Sequence, residues 1–308
     1  MPAPSARALA KAAARTFVPF GGSGLATHLD NFAALSATLP PFDFPNSGDR
    51  ILVVAPHPDD ETLCCSGLLQ RAAALEIPAR VAFITNGDGS RTAQVFKTLR
   101  EPWARDNDLF SLAGQRQIEA LGALKQLGLN QSDADFLGFP DGGLTALLSG
   151  ASNYYSPTTR RNHVAYARAY APGAHYDGGA LLDVTARLFE EWQPTRVFTS
   201  HPLDTHADHA ATFRLCREVL ERTGSKARLE GCLVHYGVWP VPNGLHLEQA
   251  LAPPAALLKG RDWTSLSLCE TEVRVKLAAL ECYDSQLVSL PRYLRAFVRR
   301  NELFDSSP

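Results

Sequence analysis

The stretch Ile51–Glu61 has the sequence ILVVAPHPDDE, and it decides the fold class. Its first five residues form a short, continuous apolar run, which is typical of a strand buried on both faces of a sheet. The segment Glu61–Leu75 that follows is predicted to be a helix. A buried strand that runs directly into a helix is the unit from which parallel α/β sheets are built.

The same alternation of strands and helices continues along the chain. Strands are predicted at Ala79–Thr85, Asp135–Phe139, Pro194–Ser200 and Leu233–Trp239, and helices at Gln115–Leu127, Leu181–Trp192, His209–Glu221, Glu272–Tyr283 and Pro291–Arg300. The pattern indicates an α/β fold, in which a mainly parallel sheet is covered by helices on both faces.

We divide the chain into three parts. Residues 1–48 are an N-terminal extension, residues 49–290 are one α/β domain, and residues 291–308 are a C-terminal helix and tail. Residues 149–179 are rich in Tyr, Arg, Asn, Gly and Pro, and they are interpreted as a loop insertion in that domain.

The composition excludes several classes of partner. The 308 residues are 45% hydrophobic and 20% charged with a net charge of −2, so no nucleic-acid partner is expected. No apolar run reaches the roughly 18 residues of a transmembrane helix. We expect a cytoplasmic protein, with peripheral membrane association through the amphipathic segment Ser5–Phe17 as an alternative. The oligomeric state is left open.

The first cluster of reactive side chains lies directly after the first predicted strand. His57, Asp59, Asp60 and Glu61 stand where ligands bind in open α/β sheets, at the carboxyl end of a strand. Two adjacent aspartates repel each other unless a cation compensates their charge. The cluster therefore predicts a divalent metal; the alternative is an acidic helix N-terminus favoured by the helix dipole.

A second cluster follows the predicted strand Pro194–Ser200. The stretch His201–His209, HPLDTHADH, holds three histidines and two aspartates within nine residues. Two nitrogen donors and one carboxylate suit Zn²⁺ with one position left open for water, and other first-row divalent metals bind the same donors.

Together these clusters resemble the motifs of the LmbE/PIG-L family of N-acetylglucosamine de-N-acetylases. Three more stretches resemble the family in the same order, so the resemblance runs from about Arg50 to Gln286: Arg116–Glu119 (RQIE), Phe136–Leu144 (FLGFPDGGL) and Lys276–Gln286. The family implies a Rossmann-like, three-layer α/β/α fold with catalytic Zn²⁺.

The resemblance also implies a metal-bound reaction centre. His57, Asp60 and His209 would hold the metal, and Asp59 would act as the general base that activates water.

The remaining roles concern the transition state and the substrate. His206 in its protonated form would stabilise the oxyanion, and Asp208 would orient and tune His206. Arg116 and Asp141 would bind the sugar. Either Asp59 or His206 would protonate the leaving amine.

The function that follows is a zinc-dependent hydrolase. It would remove the N-acetyl group from an N-acetylglucosamine-containing glycan, glycolipid or glycoside and release acetate. Two alternatives are a non-catalytic sugar-binding protein with a structural metal and a metal-dependent phosphoesterase. The latter usually requires two metals about 3.5–4 Å apart.

Two positions depart from relatives in the family. Asp204 stands where the mycothiol branch carries Tyr, which argues against a mycothiol-type substrate. Tyr283 stands where several relatives carry His.

Overall fold

The computed structural model describes residues 39–89 and 109–308. The strands in this part of the chain are β1 (Ile51–Ala55), β2 (Ala79–Thr85), β3 (Ala134–Phe139), β4 (Arg196–Ser200), β5 (Arg228–Cys232), β6 (Trp263–Ser267) and β7 (Asn301–Asp305). The α-helices are α1 (Asp60–Ala74), α2 (Leu109–Gln126), α3 (Leu144–Leu148), α4 (Gly178–Trp192), α5 (Ala207–Thr223), α6 (Glu270–Leu280), α7 (Asp284–Leu287) and α8 (Pro291–Arg295). Short 3-10 helices lie at Gln131–Asp133 and Ala255–Leu257.

The strands form one sheet in the order β3-β2-β1-β4-β5-β7-β6. Strands β1 to β5 are parallel to one another, whereas β7 runs antiparallel to both β5 and β6. Helices cover both faces, so the predicted α/β fold with a mainly parallel sheet is confirmed. The strand order reverses beside β1, and the carboxyl ends of β1 and β4 lie next to each other at that point.

Strand β1 lies in the interior of the sheet between β2 and β4, and its side chains are buried on both faces. Ile51, Val53 and Ala55 pack into a core with α1, α2 and α6. Leu52 and Val54 pack into a second core with α4 and α5. Burying one such aliphatic side chain stabilises the fold by about 1.5–3 kcal/mol. Burial on both faces explains why the β1 sequence is continuously apolar and does not alternate.

One predicted strand is wrong. Leu233–Trp239 is not a strand; β5 ends at Cys232, just before it. The β5 sequence, RLEGC, carries charges that hide it from an apolar-run criterion. Glu230 is fully buried, and its carboxylate accepts a hydrogen bond of 2.9 Å from Arg196 Nε on β4. A tertiary ion pair thus offsets the burial of a charge inside the sheet.

The sequence reading also missed the antiparallel edge of the sheet. Strand β6 was not predicted, and the helix predicted at Pro291–Arg300 ends at Arg295 and is followed by β7. Strand β7 contains Glu302, whose buried carboxylate lies 2.9 Å from Lys276 Nζ. As in β5, a buried charged residue interrupts the apolar run by which a buried strand is recognised in sequence.

Other predictions fall partly outside the described residues. The amphipathic segment Ser5–Phe17 lies there, as does most of the extension 1–48. Among the described helices, none combines the length and the apolar character that crossing a bilayer requires.

Candidate active site

The two predicted clusters meet at the carboxyl edge of the sheet. Strands β1 and β4 pair in parallel, with Val54 opposite Thr199, so the loops that follow them emerge side by side. The first loop carries His57 to Asp60 and runs into α1. The second loop leads to His206, which caps the N-terminus of α5. At the other end of α5 the cap is Gly224, whose φ of 64° a glycine adopts without strain.

Asp60 lies between two histidines. Its Oδ2 atom is 3.3 Å from His57 Nδ1 and 3.3 Å from His209 Nε2. All three side chains are buried. His209 Nε2 makes no hydrogen bond within the described residues, although the carboxylate oxygen is so near. Ligands around a tetrahedral zinc stand about 3.3 Å apart, given zinc–ligand bonds of roughly 2.0–2.1 Å. The donor types and their spacing therefore fit a divalent metal.

The electrostatics of this group also favour a cation. Burial would lower the pKa of His57, but Asp141 and the other carboxylates around it raise that pKa well above its usual range. Burial likewise opposes charge on His209, yet Asp60 and Asp204 raise its pKa to about 10. A field that holds protons on two buried imidazoles stabilises positive charge at this point.

Asp59 has an unusual backbone at the start of α1. Its φ is 127° and its ψ is −29°, a conformation that costs a residue with a side chain about 1–3 kcal/mol. Glu61 supports it, since the Asp59 N–H donates to Glu61 Oε2 at 3.1 Å. Glu61 is in turn fixed by Tyr283, whose hydroxyl donates to Oε1 at 2.6 Å. Tyr283 thus acts on the site through Glu61 and Asp59.

The Asp59 carboxylate is buried beside Arg116. Asp59 Oδ1 lies 3.4 Å from Arg116 Nη2, and Asp59 Oδ2 has no hydrogen-bond partner within the described chain. Burial raises the pKa of Asp59 to about 7. Arg116 is held by the carbonyl oxygens of Gly87 and Pro58. These contacts place Arg116 against Asp59. The binding of sugar by Arg116 stays a prediction.

His206 lies on the wall of the same site. Its Nδ1 accepts the backbone N–H of Asp208 at 3.3 Å, an N-cap hydrogen bond. The hydrogen of the neutral ring is therefore on Nε2. Burial lowers the pKa of His206. The hydrogen bond and the lowered pKa both favour a neutral ring in place of the protonated ring that was expected.

The carboxylates of Asp141 and Asp208 face the other nitrogen of His57. His57 Nε2 lies 3.3 Å from Asp141 Oδ1 and 3.5 Å from Asp208 Oδ2. Backbone N–H groups orient both acids: Gly89 donates to Asp141 at 2.7 Å, and Gly142 donates to Asp208 at 2.6 Å. Asp208 therefore contacts His206 through its backbone, while its carboxylate faces His57.

Asp204 is a site residue to which the sequence reading gave no role. Its Oδ2 lies 3.2 Å from His209 Nδ1 and accepts the backbone N–H groups of Val234 and His235 at 3.0 and 2.9 Å. Its Oδ1 accepts the N–H of His206 at 2.9 Å. One buried carboxylate thus connects the loops after β4 and β5. Its position within the His201–His209 stretch, HPLDTHADH, is the sequence feature that could have marked Asp204 as a site residue.

His235 was also missed. It follows β5, and its ring lies 4.7 Å from the ring of His209 and 5.2 Å from that of His206. Burial lowers its pKa to about 4. The misplaced strand at Leu233–Trp239 put His235 inside a strand and concealed that it lies at a strand end.

These residues open into a cavity of about 270 Å³. Beside the polar groups, its lining includes three leucines and a tyrosine from α1, α8 and the turn before α8: Leu63, Leu290, Tyr293 and Leu294. A cavity that combines convergent polar groups with apolar side chains suits a small organic ligand.

Comparison with known proteins identifies the family. The family model PIG-L, described as GlcNAc-PI de-N-acetylase, matches residues 52–220, which is more than half of the chain. The chain belongs to the PIG-L family. The matched range contains every predicted PIG-L site residue, and it excludes His235 and Tyr293.

Solved structures show the same fold. The A40926 pseudoaglycone deacetylase Dbv21 is similar with a TM-score of 0.56 and 20% identity, over 84% of this chain and 96% of that chain. A deacetylase triple mutant involved in the teicoplanin biosynthetic pathway has a TM-score of 0.53 and 20% identity, over 83% and 96%. The conserved protein TT1542 from Thermus thermophilus has a TM-score of 0.50 and 21% identity, over 84% and 95%. No curated protein matches the chain.

Proposed function

We propose that this chain is a metal-dependent deacetylase that hydrolyses the acetamide of an N-acetylglucosamine-containing glycan, glycolipid or glycoside. The observation that carries the proposal is the position of Asp59. Asp59 lines the same cavity as His57 and Asp60, and its carboxylate keeps one oxygen without a hydrogen bond in the described chain. Membership of the PIG-L family supports the same reaction.

His57, Asp60 and His209 would hold the metal. Two imidazole nitrogens and one carboxylate oxygen are donors that Zn²⁺ accepts. When bound, such a metal supplies Lewis acidity toward an amide carbonyl and toward water. The protein itself then has to bind the substrate, move one proton and stabilise the oxygen that gains charge.

Asp59 would move the proton. Arg116 holds Oδ1 at 3.4 Å, so Oδ2 is the oxygen that can accept a proton from the attacking water. A pKa of about 7 suits a group that takes up and releases a proton near neutral pH. As the O–H bond of water breaks, a C–O bond forms at the acetyl carbon.

His206 would stabilise the developing oxyanion. The N-cap hydrogen bond to Nδ1 leaves Nε2–H as a donor toward the cavity. A neutral His206 keeps that hydrogen throughout, so we assign the return of the proton to Asp59. The leaving nitrogen receives that proton when the C–N bond breaks, and the products are an amine and acetic acid, which loses its proton to solvent as acetate.

The test is acetate release from a panel of N-acetylglucosamine derivatives with lipid-linked, oligosaccharide and simple glycoside aglycones. The wild type should release acetate from at least one of them. Asp59→Asn should keep its metal by elemental analysis while kcat falls by about 10²–10⁴, as expected for loss of a general base.

Two outcomes would overturn the proposal. One is full activity of Asp59→Asn, and the other is a metal-loaded wild type that releases no acetate from any member of the panel. Phosphate release from simple phosphomonoesters, measured in parallel, would instead favour the phosphoesterase.

A further inference from the structure

We infer that His235 recognises the substrate by accepting a hydrogen bond from the sugar hydroxyl next to the acetamido group. This inference rests on the proposed function. Neither the family match, which ends at residue 220, nor the sequence motifs assign a role to this residue.

The backbone of His235 is fixed from both sides. Its N–H donates to Asp204 Oδ2 at 2.9 Å, and its carbonyl accepts the N–H of Thr205 at 2.8 Å. The loop after β4 therefore holds the loop after β5 in register, and the His235 ring is placed relative to His209 and His206. A recognition group must be preorganised in this way if it is to discriminate between substrates.

Tyr293 fixes which nitrogen of His235 carries the hydrogen. The Tyr293 hydroxyl donates its single hydrogen to the Val234 carbonyl at 2.8 Å. Its oxygen lies 3.0 Å from His235 Nδ1 and can only accept there, so Nδ1 carries the hydrogen of the neutral ring. The rings of Tyr293 and His235 also stack, with centroids 5.6 Å apart at 11°. His235 Nε2 is thereby left as a hydrogen-bond acceptor.

This acceptor is available to a ligand. The His235 ring lines the cavity, and Nε2 makes no hydrogen bond within the described residues. With Nδ1 turned to the Tyr293 hydroxyl and Nε2 unpartnered among the described residues, the geometry points to a role toward substrate.

The position of the His235 ring relative to His206 indicates which substrate group it would contact. Its ring lies 5.2 Å from that of His206, which we place at the reacting carbonyl, and both rings line the same cavity. We therefore assign to His235 a group on a sugar carbon next to the one that bears the acetamide. The two neighbouring carbons bear the anomeric oxygen and the 3-hydroxyl. In a glycoside the anomeric oxygen has no hydrogen. The 3-hydroxyl is therefore the group from which His235 Nε2 would accept a hydrogen bond.

The experiment crosses two substrates with three proteins. The substrates are the methyl glycosides of N-acetylglucosamine and of its 3-deoxy analogue, and the proteins are wild type, His235→Leu and His235→Gln. For the wild type, kcat/KM should fall about tenfold when the 3-hydroxyl is removed, the value of one neutral hydrogen bond. For His235→Leu, the two substrates should differ little. Glutamine offers an acceptor oxygen at a similar reach, so His235→Gln should recover part of the tenfold preference.

If the wild type hydrolyses only a different aglycone from the panel, the 3-deoxy comparison is made on that aglycone, and each remaining outcome is then decisive. An equal preference for the 3-hydroxyl in wild type and His235→Leu would overturn the inference and leave the proposed function standing. Loss of metal from His235→Gln, measured by elemental analysis, would overturn it by making His235 a metal ligand. A metal-loaded wild type that hydrolyses neither glycoside, nor any other N-acetylglucosamine derivative, would remove the proposed function and this inference with it.

Discussion

The carboxylate of Asp204 lies 3.2 Å from Nδ1 of His209, at the ring nitrogen opposite the one that faces Asp60. A carboxylate on the outer nitrogen of a ligating histidine fixes the orientation of the ring and raises the basicity of the other nitrogen. Where the mycothiol branch carries Tyr, this chain thus carries a residue suited to holding a metal ligand.

Asp204→Asn should weaken metal binding. Asparagine keeps an oxygen for the backbone N–H groups of Val234 and His235. It removes the charge beside His209 and puts an NH2 group where Oδ1 accepts the His206 N–H. Loss of such a partner typically costs 10–100-fold in metal affinity. Competition with a metal-indicator dye would measure the Kd for Zn²⁺.

A matched control is available elsewhere in the fold. His201 Nε2 and Asp305 Oδ2 form another buried pair, 3.0 Å apart and outside the cavity. Asp305→Asn should lower the melting temperature and leave the Kd for Zn²⁺ unchanged. Equal Kd values for wild type and Asp204→Asn would refute the role assigned to Asp204.

Asp59→Gly should stabilise the fold while it abolishes activity. The φ of 127° at Asp59 is strained for any residue with a Cβ and is relaxed for glycine. We expect the free energy of unfolding, from urea titrations of the metal-free proteins, to be about 1–3 kcal/mol higher for Asp59→Gly than for Asp59→Asn. Both variants lack the carboxylate, so their difference isolates the backbone. An Asp59→Gly variant less stable than Asp59→Asn would contradict stored strain at this position.

Gly87→Ala should disturb the base through Arg116. A Cβ at Gly87 would lie 1.8 Å from Arg116 Nη1, and the φ of 64° there is itself unfavourable for alanine. Arg116 would have to leave Asp59 or the Pro58 carbonyl, and a displacement of this kind near a reacting group can cost about 100-fold in rate. In Gly114→Ala the new Cβ meets nothing within 4 Å, so kcat/KM should be unchanged. Equal kcat/KM for the two variants would show that Arg116 does not position Asp59.

The meeting of the two His/Asp clusters could be predicted because it follows from topology. Any two adjacent parallel strands end at the same edge of a sheet, so motifs placed directly after β1 and β4 must approach each other. The apolar sequences of these strands marked their ends, and the predicted donors His57, Asp60 and His209 do come together.

The other side of the cavity could not be predicted because its strands carry buried charges. Glu230 on β5 is paired with Arg196, and Glu302 on β7 is paired with Lys276, so neither strand has an apolar run. With β5 misplaced, nothing marked His235 as a strand-end residue. Its contact with Tyr293 joins residues 58 positions apart, and local sequence carries no signal for such a pair.

Removing the metal should destabilise the whole domain. In the metal-free protein Asp60 and the two imidazoles stay buried without the cation that their arrangement favours. A ligand that binds only the folded state stabilises it by about 2.7 kcal/mol at 100 times its Kd and about 4.1 kcal/mol at 1,000 times. The melting temperature of wild type should therefore fall when a chelator is added and recover when excess Zn²⁺ is restored. His209→Ala, which lacks one donor, should melt at the same temperature with and without Zn²⁺. If the melting temperature of the wild type changed with neither chelator nor Zn²⁺, these residues would hold no metal.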